Sequence, residues 1–322
     1  MVVDKVRAGI GRRRRRPAAV AALAAAALAA AGAGCGPAAP AAASRSGSTI
    51  AVVAAENEYG NVAAQIGGRL VSVVSVERNP NADPHSYEVS PAVASEVSNA
   101  DLVIENGLGY DSFMGRLEAA DPSRRRRVID VQRLLGLPPT TGNPHLWYSP
   151  ATMPAVAAAI ASDLGLMAPS HRAYFRAHLE RFLASLRPWE AAIAAFRTGH
   201  PGVTAATTEP VADDLLAAMG IRNLTPFSFQ AAIMNGADPS PQGVGFEDSL
   251  LSHHRVDLFA YNQQVVDAVT ASVRATAVRA GVPVVAVYET MPTPGYDYQT
   301  WMMAETRAIE KAVVARASTR RL

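Results

Sequence analysis

The sequence predicts an α/β protein of two lobes, each built on a parallel sheet, with one long helix between them. Two observations carry this prediction. Short β-branched runs alternate with longer alanine-rich stretches of helical pattern, and strand, helix, strand repetition implies parallel sheets covered by helices. The alternation occurs twice, on either side of a long helical segment.

The chain of 322 residues opens with a basic segment, Lys5, Arg7 and Arg12 to Arg16, followed by an alanine-rich apolar stretch from Pro17 to Gly34 that ends at Cys35. This is the layout of an export signal. The apolar run sits at the lower limit of the ~20 residues that a membrane span needs and is mostly Ala and Gly. Cys35 is the only cysteine, so no intramolecular disulfide can form. With Gly32-Ala33-Gly34 before it and a Pro/Ala/Ser-rich tether through Ser48 after it, the segment resembles a bacterial lipoprotein signal. That resemblance implies a lipidated Cys35 as the first mature residue, although Gly32 stands where such signals usually carry Leu. The expected organisation is a signal over 1–35, a flexible tether over 36–48, a first lobe over 49–168, a linker helix over 169–199 and a second lobe over 200–322.

The formal charge of +2 belongs to the signal. Without residues 1–34, which hold seven Lys/Arg and one Asp, 23 basic and 27 acidic residues remain. This mildly acidic balance gives no reason to invoke nucleic acid. The run Arg124 to Arg127 is read as a solvated turn. Roughly 270 residues are left, enough for two modest lobes.

In the first lobe, Thr49 to Val53, Leu70 to Val76, Asp101 to Glu105 and Arg127 to Asp130 read as strands, with helical segments at Glu58 to Gly67 and Pro91 to Asn99. In the second, the strands are Val203 to Thr207, Asp257 to Tyr261 and Pro283 to Tyr288, with helical segments at Val211 to Met219 and Asn262 to Ala280. Between the lobes, Pro169 to about Arg197 carries Tyr174, Phe175, Leu179, Phe182, Leu183 and Leu186 at helical spacing. Pro188 is expected to kink it or mark a bend. His171 and His178 fall on this helix as solvated residues.

Sheets of this kind bind ligands beyond the carboxyl ends of their strands. Two such loops of the first lobe hold a histidine directly after a proline and two residues before an aromatic: Asp83-Pro84-His85-Ser86-Tyr87-Glu88 and Asn143-Pro144-His145-Leu146-Trp147-Tyr148. Proline stiffens the backbone before each imidazole, a common metal ligand. In the second lobe, Glu209 follows its strand directly, with Pro210 suited to the first turn of the next helix, and Glu289 follows the last strand. Two histidines from one lobe and two glutamates from the other can close on one cation, and that donor mixture suits zinc or manganese. Asp297, in the same exit loop as Glu289, is the substitute for it. Surface positions account for His200, His253 and His254.

Taken together, these segments resemble the zinc/manganese solute-binding lipoproteins of bacterial ABC importers. The resemblance runs from about Thr49 to the C-terminus and is carried by Ala55-Glu56-Asn57-Glu58-Tyr59-Gly60, Asn79-Pro80, the two Pro-His segments, Asn106-Gly107, Asp238-Pro239-Ser240-Pro241 and Glu289-Thr290-Met291-Pro292. It implies a C-clamp of two Rossmann-like lobes on a rigid backbone helix, with the transported ion held by His85, His145, Glu209 and Glu289. Many relatives have His where Glu209 stands and most have Asp where Glu289 stands, and the His-rich acidic loop of some zinc-specific members is missing. The implied partners are a membrane permease and an ATPase. The implied location is the outer face of the cell membrane, where the protein is a lipid-tethered monomer.

The rival class is a metal-dependent hydrolase, which needs an open coordination position and a general base. No H-E-x-x-H helix or G-x-S-x-G elbow is present. A surface adhesin, the third class, leaves no readable mark. Zinc and manganese, with iron beside them, stay open. The lipoprotein reading has a direct check: intact-mass measurement of the native mature protein is expected to show an acylated chain beginning at Cys35, and an unacylated or differently cleaved chain would remove it.

Overall fold

The computed structural model describes residues 49–84 and 87–322. The signal, the tether, Cys35 and His85 lie outside the described residues. The first lobe contains β1 (Ile50–Glu56), α1 (Asn57–Gly67), β2 (Val71–Glu77), α2 (Pro91–Asn99), β3 (Leu102–Glu105), α3 (Ser112–Ala120), β4 (Arg127–Asp130), α4 (Val131–Leu134) and α5 (Thr152–Met167). The long helix α6 (Arg172–Gly199) follows. The second lobe contains β5 (Thr204–Thr207), α7 (Asp213–Ala218), β6 (Arg222–Asn223), α8 (Phe227–Met234), α9 (Pro241–Ser252), β7 (Leu258–Asn262), α10 (Ala268–Ala280), β8 (Val284–Val287) and the closing helix α11 (Tyr298–Ala315).

Both sheets have four parallel strands in the same spatial pattern, β2-β1-β3-β4 and β6-β5-β7-β8. Helices cover both faces, so the strands read as apolar runs rather than alternating ones: all four residues of β8 are buried, as are Val52 to Ala55 of β1. Each sheet reverses its winding between its first and third strands. The ligand-accepting crevices therefore lie past the ends of β1 and β3, and of β5 and β7.

Helix α6 is 28 residues long and continues through Pro188. The kink or bend expected there does not end the helix. The turn around Pro188 is held by packing, with Phe182, Leu186, Trp189, Ile193 and Phe196 buried along one face. One apolar cluster runs from the first sheet through α5 and α6 to the second sheet and α11. Helix α11 crosses back toward the first lobe: Trp189 Nε1 donates to Thr306 Oγ1 at 2.9 Å, and the Tyr298 amide donates to Asn61 Oδ1 of α1 at 3.0 Å. Helix α1 also lies close on β2, since a Cβ at Gly60 would stand 2.1 Å from Ser75 Oγ.

Several boundaries differ from the sequence reading. Helix α7 begins at Asp213, so Pro210 is not in its first turn. Helix α10 begins at Ala268, because Asp267 and Thr270 form a capping box there, and Asn262 ends β7 instead of opening a helix. Asp297 is likewise spent as the cap of α11, accepting the Thr300 amide at 3.0 Å. His178 is half-buried rather than freely solvated: its Nδ1 lies 2.8 Å from the Gln65 carbonyl and its ring against Tyr174. Of the arginine run, Arg126 is buried with a guanidinium nitrogen 3.0 Å from the Asp121 carbonyl.

Glu305 of α11 gives the fold a titration signature. It is fully buried, with Trp301 Nε1 at 3.2 Å and the Tyr148 hydroxyl at 3.1 Å from Oε1, and no hydrogen-bond partner for Oε2 among the described residues. Burial pushes its carboxyl up to about 8, and the hydrogen bonds only partly oppose this. Between the ordinary carboxylate range and pH 8 the folded chain holds a proton that the unfolded chain has lost. Stability contributed by this group therefore declines as pH rises through that window and levels off above it. Glu305→Gln keeps the Oε1 acceptor. In urea unfolding of metal-free protein, the variant is expected to match wild type near pH 5 and to exceed it near pH 9; an unchanged difference between the two pH values would contradict this.

Candidate metal centre

The strand-end loops bring His145 and Glu289 together across the two lobes. His145 is fully buried and sits just before a short 3-10 turn, Leu146–Tyr148, whose aromatic residues are buried beneath it. Its backbone amide donates to Asn143 Oδ1 at 3.1 Å, which fixes the orientation of that amide, and its Nδ1 lies 2.8 Å from the same oxygen. An acceptor at this position holds a proton on Nδ1 and leaves Nε2 as the ring atom aimed at the cleft, the atom that a metal-binding imidazole held in this way uses. The Trp147 and Tyr110 rings meet the imidazole edge-on, with centroids 5.5 and 5.7 Å away. Asn106, just past β3, donates to the Pro144 carbonyl at 2.8 Å and accepts from the Tyr59 hydroxyl at 2.6 Å, which ties this loop to the first sheet's crevice.

Glu289 follows β8 and is 1% exposed. Its Oε2 lies 3.1 Å from His145 Nε2 and accepts from the Tyr110 hydroxyl at 3.0 Å. Its Oε1 accepts from Asn262 Nδ2 at 2.6 Å. The backbone around it is held from both lobes. Gln264 Oε1 accepts the amides of Glu289 and Thr290 at 2.6 and 2.9 Å. Asn57 of the first lobe accepts the Met291 amide at 3.0 Å and donates to the Met291 carbonyl at 2.8 Å. Gln264 Nε2 also donates to the Ala82 carbonyl at 2.7 Å, in the loop that leads to His85.

Glu209 follows β5 and is 2% exposed, and its Oε1 accepts from the same Asn262 Nδ2 at 3.0 Å. It lies ahead of α7, whose first-turn acids are Asp213 and Asp214, so helix N-terminal charge does not account for it. Asp213 is bound by Asn223 and Gln230 at 2.9 Å each. Of the four histidine and glutamate positions singled out from the sequence, the structure thus joins His145 to Glu289 directly and Glu209 to Glu289 through Asn262, while His85 lies outside the described residues. Among the described residues no three His, Cys, Asp or Glu side chains converge as a metal-holding group.

The surroundings are rich in buried acids. Glu56 and Glu77 stand opposite each other in register at the ends of β1 and β2, and Glu58, two residues after Glu56, is fully buried. Burial, then neighbouring carboxyls, raises Glu56 far above the ordinary range and Glu77 to about 9; burial likewise raises Glu58. Burial thus disfavours the ionised form of all three, Glu56, Glu58 and Glu77.

Sequence reasoning missed Tyr110, Asn262 and Gln264. Asn262 carries a legible signal as a polar residue ending the apolar run Leu258 to Tyr261, and it ends that strand rather than opening the following helix. Tyr110 and Gln264 lie in loops without a distinguishing spacing.

A fold of two parallel sheets sharing one spine, with a buried imidazole–carboxylate pair between their strand ends, defines a two-lobed binding-protein class. The family model described as the periplasmic component A of the zinc-uptake complex, ZnuA, matches residues 52–312, and the chain belongs to this family. The chain is 25% identical to the manganese-binding lipoprotein MntA of Bacillus subtilis over 144 residues, 43% of this chain and 47% of that one. Matches to curated relatives span only 34% to 47% of those proteins' lengths. Among solved structures, ZnuA superposes with a TM-score of 0.67 at 21% identity, covering 81% of this chain and 98% of that one. The periplasmic zinc-binding protein TroA of Treponema pallidum gives 0.70 at 16% identity, covering 84% and 100%. These likenesses establish the fold.

Proposed function

We propose that this protein is the extracytoplasmic solute-binding component of an ABC importer for a divalent transition metal, zinc or manganese. It captures the ion between its lobes and delivers it to a membrane permease driven by an ATPase. The observation that carries this reading is the buried approach of His145 Nε2 to Glu289 Oε2 across the two lobes, 3.1 Å apart. Two donors bound tetrahedrally to one zinc ion, each about 2.0–2.2 Å from it, lie roughly 3.3–3.5 Å from each other, so a small movement admits the ion. His85 and Glu209 complete the proposed ligand set. Two imidazoles and two carboxylates serve zinc as a tetrahedral set and manganese through bidentate carboxylates.

The cap geometry of Asp297 supports Glu289 over it as the fourth ligand. Because His145 and Glu289 are closed off from solvent, the ion enters and leaves only when the loops around them part. A binding module is built to open and close in this way, and four protein ligands leave no coordination position for a hydrolytic water. A lipidated Cys35 would hold the protein at the outer face of the membrane; among the described residues, no helix is long and apolar enough to cross a membrane.

A ligand that binds only the native state stabilises it by about 2.7 kcal/mol at a hundredfold excess over Kd. Wild type is therefore expected to melt several degrees higher with Zn²⁺ or Mn²⁺, whereas His145→Ala and Glu289→Gln lose most of this shift. Scanning calorimetry with and without each ion tests it, and equal shifts in all three proteins would remove these residues from the site. Competition between the two ions on the same samples decides which one the protein takes up.

A further inference from the structure

We propose that Asn262 is the positioning residue of this centre: one side-chain amide aligns the two carboxylates that meet the cation. The inference rests on the reading of Glu209 and Glu289 as ligands, and it adds a residue that neither motif nor spacing singled out.

Asn262 is the last residue of β7 and is fully buried at the crevice between β5 and β7. Its Nδ2 donates to Glu209 Oε1 at 3.0 Å and to Glu289 Oε1 at 2.6 Å. An amide nitrogen has two hydrogens, and here both are committed, one to each carboxylate. Its orientation is not arbitrary. Oδ1 accepts the Gln264 amide at 3.0 Å, so the nitrogen must face the glutamates. The backbone is fixed as well, since the Asn262 amide donates to Thr208 Oγ1 at 3.0 Å.

The physical consequence concerns the state before the ion arrives. Two carboxylates held side by side in a buried crevice repel each other at low dielectric, and without a donor between them they separate. Asn262 supplies that donor without charge, so it offsets the repulsion without adding a positive charge that would compete with the cation. A lysine or arginine would neutralise them; an aliphatic residue would let them part. Because Asn262 takes Oε1 of Glu289, the oxygen turned toward His145 Nε2 is Oε2, and one contact thereby sets the rotation of the proposed ligand group. Outer partners that orient metal ligands typically change metal affinity 10- to 100-fold when removed.

The test is a double-mutant cycle read by chelator competition with Zn²⁺ and with Mn²⁺ as probes. Asn262→Ala is expected to weaken binding of both ions 10- to 100-fold. In Glu209→Gln and Glu289→Gln backgrounds the same substitution is expected to cost several-fold less, because one of the two charges it aligns is gone. A purely structural asparagine would give the same factor in every background, and that result would overturn the proposal. Binding by Asn262→Ala within twofold of wild type, while the glutamate variants lose affinity, would overturn the positioning role and leave the site intact. If both glutamate variants bind like wild type, the site itself is wrong and this inference falls with it. Should Asn262→Ala not fold, Asn262→Ser carries the same cycle and the same criteria.

Discussion

His145 and Glu289 come from different sheets and meet where neither is exposed to water. Everything around them keeps that meeting in place. Asn143 sets the imidazole tautomer, Asn106 holds its loop to the first sheet, and Asn57 and Gln264 grip the backbone beside Glu289 from opposite lobes. The recurring device is the uncharged amide. Each is oriented by a backbone group, so each has one way to point.

The choice of amides matters because the region is otherwise acidic. Glu56, Glu58 and Glu77 are buried nearby, and for Glu56 neither carboxyl oxygen has a hydrogen-bond partner among the described residues. Burial disfavours their ionised form. The shared apolar spine of α5, α6 and α11 supplies the rigidity against which such an unusual concentration of buried carboxyl groups is maintained.

Much of this was legible in the chain. The strand and helix alternation gave both sheets, because strands buried on two faces read as continuous apolar runs, and the end of β4 at Asp130 and the span of α2 at Pro91–Asn99 were read correctly. The stiff Pro-His segment and the strand-end glutamate located the pair that the fold brings together. What the sequence could not show was pairing across 144 residues, or that a capping box at Asp267 would free Asn262 from the helix after it. The two-residue strand β6 was also beyond reach, since Arg222-Asn223 has no apolar pattern and pairs only because β5 presents its edge. His178 misled for a related reason: its helical position suggested solvent, but α1 ends close enough for its carbonyl to meet the ring.

The central claim is that one transition-metal ion sits between the lobes on His145 and Glu289. The most direct measurement is a crystal structure of the metal-loaded protein with anomalous diffraction collected at the absorption edge of the bound ion. The account predicts a strong peak about 2.0–2.2 Å from His145 Nε2 and from a carboxylate oxygen of Glu289. A peak elsewhere in the molecule, with His145 and Glu289 still in contact with each other, would contradict it.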